Sequence, residues 1–240
     1  FDCIDKCIAD KRIFIADPIL DPINYGFTQS IIRYSELRKK YPDIHIMMGT
    51  GNVTELTHAD TTGMTMILMG IISELKINHI LTTEVSKHCS TVIKESDLAR
   101  RIILAANQEN TTPKHINSGL LTTHEEDPVK YNQEEVKELY EQVNDSNYRI
   151  MNTDDGVHLF NKNSLQTAID PFDFFKRIDV GDDTGHAFYL GVELARAQIA
   201  YQLGKSYEQD EELKWGCLVD EKIDDKLKFK EQGSTYKKKK

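Results

Sequence analysis

Three short apolar runs constrain the fold of this 240-residue chain more than any other feature: RIFIADP at residues 12–18, IHIMMG at 44–49 and INHILTTE at 77–84. Each is rich in β-branched or other strand-forming residues, and each is followed by a stretch of helical periodicity, expected at 28–41, from the N-cap Asp60 to residue 75, and at 92–106. The starts near 12, 44 and 78 repeat at close to the ~30 residues of a strand–helix unit, so the runs are expected as neighbouring parallel strands. Strands this apolar want cover on both faces. Three such units do not close a sheet on themselves, whereas a (β/α)8 barrel takes about 250 residues. The expectation is therefore either an open sheet or the last three eighths of a barrel. The helical opening FDCIDKCIADKR, which begins at Phe1, favours the barrel piece and a chain that is part of a longer protein.

In both architectures the polar residues that follow each strand lie at the carboxyl edge, where parallel α/β folds place their sites. These are Asp17 and Asp21 after the first run, Asn52 and Glu55 after the second, and Glu84, Ser86 and Lys87 after the third. Residues 12–16 would form an edge strand in need of a neighbour.

The segment 107–127, dense in turn formers, reads as a linker, giving a first domain at 1–110, a linker at 111–127 and a small α+β domain at 128–220. In the latter, YNQEEVKELYEQV is a helix, YRIMNTDDGVHLFN a hairpin turning at Asp155-Gly156, and PFDFFKRI a short helix opened by Pro171. A long helix then ends at Gly204, with Ala187, Leu190, Leu194, Ala197 and Tyr201 on one stripe. The charged residues 221–240 read as a disordered tail.

Composition narrows the partners. With 39 acidic against 30 basic side chains, the chain is expected to bind neither nucleic acid nor an anionic membrane. Its longest apolar run, MTMILMGIISEL, falls short of the roughly 18 residues that span a bilayer. Cys3, Cys7, Cys89 and Cys217 form no CxxC pair and no metal-ligand series, the usage of reduced thiols in a cytoplasm. Asp182, Asp183 and His186 precede or open the long helix and read as its caps; a metal would need further ligands, and none is assigned.

The run MMGTGNVTELTHAD at 47–60 looks at first like a phosphate loop, but it has neither Gly-Lys-Ser/Thr nor the third glycine of a dinucleotide fingerprint. Asn52 carries an amide that donates and accepts at once, and Asp17 can take two N–H donors; together they suit a flat polar heterocycle such as a pterin. Both residues also have a local reading, Asp17-Pro18 as a strand-ending turn and Asn52 as a left-handed turn position.

The stretches IADPILDPINYGFTQSIIRYSELRKKYPDIHIMMGTGNVTELTHADTTG and ILTTEVSKHCSTVIKESDLARRIILAA resemble the sixth to eighth strands of the dihydropteroate-synthase-related proteins of archaea and bacteria. PFDFFKRIDVGDDTGHAFYLGVELARAQIAYQLGKSYEQDEELKWGCL resembles the domain that follows the barrel in the same proteins, so the likeness runs over most of residues 12–218. It implies a pterin-binding TIM barrel of which the closing strands are present, a pterin as substrate or ligand, and a transferase of folate-like or methanopterin-like metabolism. Asp17-Pro18 stands where synthases have Asp-Pro-Gly, with Ile19 in place of glycine. GTGNVTE replaces Ser-Arg-Lys, and TTEVSKH replaces Arg-x-His, which binds the pyrophosphate leaving group. An asparagine after the seventh strand is instead the pattern of pterin-dependent methyltransferases.

The resemblance thus makes Asp17 and Asn52 the ring-recognition candidates, with Glu55, Asp60, Glu84 and Lys87 as further substrate-binding candidates; catalytic residues and cofactors stay unassigned. The competing expectation is a non-catalytic scaffold acting through the C-terminal domain, with a protein partner or a homodimer.

Overall fold

A computed structural model describes residues 1–128 and 131–220, and the tail expected at 221–240 lies outside these. The chain divides into two compact units, Phe1–Leu120 and Leu121–Lys240. The segment expected as a linker is shared between them. Leu120 packs against the core of the first unit, and Thr122 and His124 make hydrogen bonds within the second.

The first unit is α/β. In chain order it holds α1 (Asp2–Ala9), α2 (Phe27–Lys40), β1 (Met47–Gly49), the single turn α3 (Gly51–Thr54), α4 (Thr61–Glu74), β2 (His79–Leu81), a 3₁₀ turn at Lys87–Cys89, and α5 (Val92–Glu109). β1 and β2 pair in parallel, Met48 opposite Ile80. The run at 12–18 makes one parallel bridge, Ala16 to Ile46, in which Ala16 N–H donates to His45 O and Met47 N–H to Ala16 O, both at 2.9 Å. The expected order of three parallel neighbours is present, but the first run is not a strand. Ile13 is fully exposed and Ile15 half-exposed, and beyond Ala16 the proline ring removes the next amide donor and the chain turns away. The layer is short and open, and no closed barrel is formed among the described residues.

The core under this layer is built from Ile46 and Met48 of the β1 segment, Tyr34 and Leu37 of α2, Leu68, Met69 and Ile72 of α4, and Ala99 of α5. Two polar devices fix the helices. Glu95 on α5 is fully buried; its carboxylate accepts from the hydroxyls of Thr61 (2.8 Å), Thr65 (3.1 Å) and Thr91 (2.8 Å), tying α4 to α5. At the amino end of the layer, the Arg38 guanidinium donates to the carbonyl oxygens of Tyr41, Pro42, Ile44, Leu75 and Lys76. These lie in the segments that lead into β1 and β2, so one planar, five-donor side chain holds both strand entries.

The second unit is an antiparallel sheet of β3 (Arg149–Thr153), β4 (Gly156–Asn161) and β5 (Ser164–Ala168), flanked by α6 (Gln133–Gln142), the short α7 (Pro171–Phe174) and α8 (Thr184–Leu203). The first hairpin turns at Asp154-Asp155, one residue earlier than expected, with Gly156 at φ 141° opening β4 opposite Thr153. β5 was not anticipated. Leu190, Leu194, Ala197 and Ala200 of α8 pack with Ile150, Val157 and Leu159. Ala187, expected on this stripe, is exposed, because the packed part of α8 begins one turn later. Asn132 and Glu135 form a reciprocal capping box on α6, and Asp170 and Asp183 cap α7 and α8.

No helix among the described residues is long and apolar enough to cross a membrane. Replacing Arg38 by alanine is expected to destabilise the first unit by about 2–4 kcal/mol in urea unfolding, and Arg38→Lys to recover less than half of that, since an ammonium cannot reproduce the fork.

Candidate functional site

At the carboxyl edge of the parallel layer lies a cavity of about 300 Å3. Its wall includes the last residues of both strands, Gly49 and Leu81, together with Asp17, Asn52, Glu55 and Thr83. Position follows from the backbone: parallel strands end on one side, and the loops that leave them enclose the space above.

Asp17 is set by its neighbours. Its Oδ1 accepts from Ile19 N–H at 2.9 Å and lies 3.2 Å from the Tyr34 hydroxyl, which is also 3.1 Å from Met47 O. Asp17 also lines the cavity. The Tyr34 phenol is fully buried; burial, reinforced by the Asp17 charge, pushes its pKa up and keeps it a proton donor. Ile19 has φ 64°, a left-handed conformation that is costly for a β-branched residue, on the order of 1–3 kcal/mol. Arg33 holds this turn, donating to Pro18 O (2.9 Å), Ile19 O (2.7 Å) and the Asp21 carboxylate (2.9 Å).

Asn52 sits in α3, and its Nδ2 donates to Leu20 O at 2.8 Å. The bond ties the loop after β1 to the loop after Ala16 and leaves the carbonyl oxygen and one N–H of the amide for the cleft. Glu55 is differently placed. Its Oε1 accepts from Thr83 Oγ1 (3.1 Å) and Val85 N–H (2.8 Å), and its Oε2 from Ser86 N–H (2.8 Å). These donors, above all the Val85 amide and Ser86, hold its pKa at about 2. Glu55 lines the cavity but spends its acceptors organising the loop after β2. A Cβ at Gly51 would come within 2.8 Å of Thr83 Oγ1, so a side chain there would displace the hydroxyl that bonds Glu55.

Three sequence candidates lie off the cavity wall. Asp60 is the N-cap of α4 in extended backbone, without a side-chain capping bond. Glu84 accepts from Ile93 N–H at 3.0 Å, satisfying an open donor in the first turn of α5. Lys87 is exposed on the 3₁₀ turn, and its neighbour His88 engages Thr54 O at 3.0 Å. Tyr34 and Arg33, which set the Asp17 loop, carried no site signal in the sequence: on α2 they read as one apolar and one charged helix position.

Polar side chains of the second unit form a structural network. Tyr207 donates to the buried Glu193 carboxylate at 2.9 Å, Tyr189 to Asp210 at 2.8 Å, and Gln209 pairs with the edge of β3 through Ile150 N–H (2.9 Å) and Tyr148 O (3.2 Å). Burial raises both phenol pKa values. Among the described residues, no group of three or more His, Cys, Asp or Glu side chains is arranged to hold a metal ion.

An uncharacterised protein of Methanocaldococcus jannaschii is 30% identical to this chain over 236 residues, an alignment covering 87% of this chain and 44% of the relative. The chain therefore spans less than half the length of that curated relative. No family model matches the sequence, and no solved structure matches the chain.

Glu55 gives the site a defined acid response. Its folded value, about 2, lies below the ordinary 4.5, so the unfolded state takes up the proton first as pH falls. The stabilisation is complete above about 4.5 and is lost progressively toward pH 2. The stability difference between the parent and Glu55→Gln, measured by urea unfolding, is expected to be largest at pH 7, smaller at pH 3.5 and smallest near pH 2.

Proposed function

We propose that this protein binds a reduced pterin at the carboxyl edge of its parallel layer, as the closing part of a dihydropteroate-synthase-like TIM barrel, and acts as a transferase of pterin metabolism. The observation that carries the reading is the convergence of Asp17 and Asn52, from loops 35 positions apart in sequence, on one cavity. An aspartate oxygen and an amide offering both a donor and an acceptor match the edge of an aminopyrimidine ring. The turn after Ala16 supports it further: Ile19, standing where the resembling synthases have glycine, takes a left-handed backbone that glycine adopts most readily. The four cysteines remain thiols, in keeping with a cytoplasmic location, and neither nucleic acid nor membrane enters the proposal as a partner.

Titration of the intact protein with reduced pterins by calorimetry tests this reading. Binding in the micromolar range is expected, weakened at least tenfold by Asp17→Ala and by Asn52→Ala. An absence of binding, or variants that bind as well as the parent, removes it.

A second reading, a scaffold working through the C-terminal unit, is favoured by Phe172, Phe175 and Phe188, which are all more than 70% exposed. If it holds, a protein partner recovered with the intact protein should be lost on Phe172→Ser/Phe175→Ser, with pterin affinity unchanged. Retention of the partner by that variant counts against this surface.

A further inference from the structure

Two histidines meet on the face of the parallel layer that points away from the helices. Ile46, Met48 and Ile80 pack into the core, so by strand alternation His45 and His79 project from the opposite face. His45 is exposed and His79 half-buried. His45 Nδ1 lies 3.2 Å from His79 Nε2, with the ring centroids 5.3 Å apart. The backbone around both is held firmly. His45 O accepts from Ala16 N–H at 2.9 Å, and His79 N–H donates to Ile46 O at 3.1 Å. Arg38 donates to the residue just before each histidine, Ile44 O at 3.0 Å and Asn78 Oδ1 at 3.4 Å.

Between two neutral imidazoles this contact holds one hydrogen, carried by one facing nitrogen and accepted by the other. The same separation suits a metal ion. Bonds of about 2.0–2.1 Å, opened at a square to tetrahedral angle, set two imidazole nitrogens roughly 2.9–3.4 Å apart. We propose that His45 and His79 form a two-imidazole site for a borderline divalent cation of the zinc, nickel and copper class, whose other positions are filled by water or a small ligand. On binding, the facing hydrogen is given up to water and the far nitrogen of that ring takes one in its place. Both facing lone pairs then go to the metal, and both rings stay neutral. The two donors belong to this chain and stand on neighbouring strands of one unit. They sit at the amino ends of β1 and β2, away from the cavity at the carboxyl edge, and the inference does not rest on the pterin reading.

Calorimetric titration of the intact, chelator-treated protein with zinc, and separately with copper, tests the site. One metal per chain is expected. The affinity for zinc should fall at least about tenfold in His45→Ala and in His79→Ala, since loss of a ligand costs no less than loss of a residue that orients one. His58→Ala, at another exposed histidine, should leave it unchanged. Zinc should also raise the urea midpoint of the parent and of His58→Ala but not that of the two pair variants, because a ligand that binds only the folded chain stabilises it. In the copper complex, electron spin echo spectra should show two imidazole nitrogens in the parent and no more than one in either pair variant. The proposal is overturned if zinc does not bind, or if it binds the pair variants as tightly as the parent. Equal weakening by His58→Ala also overturns it, as adventitious attachment to surface imidazoles. None of these outcomes bears on the cavity at the carboxyl edge.

Discussion

Arg38 is the contact on which the first unit depends most. Short parallel strands give few ladder bonds, and the layer here has a three-residue pair and a single bridge. Its geometry has to be imposed from outside the ladder. A guanidinium that donates to five carbonyl oxygens, drawn from the turns entering β1 and β2, does this with one side chain. Those carbonyls would otherwise be left wanting donors at the ends of α2 and α4, where a helix runs out of intrahelical partners. Arg33, five residues earlier on the same helix, performs the corresponding task at the opposite end of the layer. α2 thereby positions the strand entries and the first site loop together.

The carboxyl edge shows how few polar groups remain for a ligand once a loop has been held in place. Glu55 and Glu84 both stand where a parallel fold puts functional residues, yet each is occupied by backbone amides of its own unit. Asp17 and Asn52 differ in that each is anchored through one atom and retains another. Anchoring through one atom is what gives a recognition group a fixed direction at low entropic cost.

How much of this could be read from residues alone depended on whether the cause was local. The rhythm of apolar runs and helical stretches located α2, α4 and α5 to within a few residues, and Asp60, Pro171, Asp183 and Gly204 marked helix ends through signals confined to one turn. The failures came from partners distant in sequence. RIFIADP has the composition of a strand, but a strand needs a partner along its length and only Ala16 meets one. β5, SLQTA, is too polar to read as a strand and forms because β4 is fully buried beside it. Asp17 and Asn52 were legible as strand-end polar residues. The commitment of Glu55 to Val85 and Ser86 spans some thirty residues and left no trace in spacing.

Ile19 draws these threads to one atom group. A glycine at this left-handed position would leave bare backbone beside Asp17; the branched side chain, more than half exposed, lines the cavity instead. With Leu20, Leu56 and Leu81 it makes one part of the cavity wall aliphatic. Covering that part with apolar surface would take these side chains out of water, a gain of roughly 25 cal/mol for each Å2 buried.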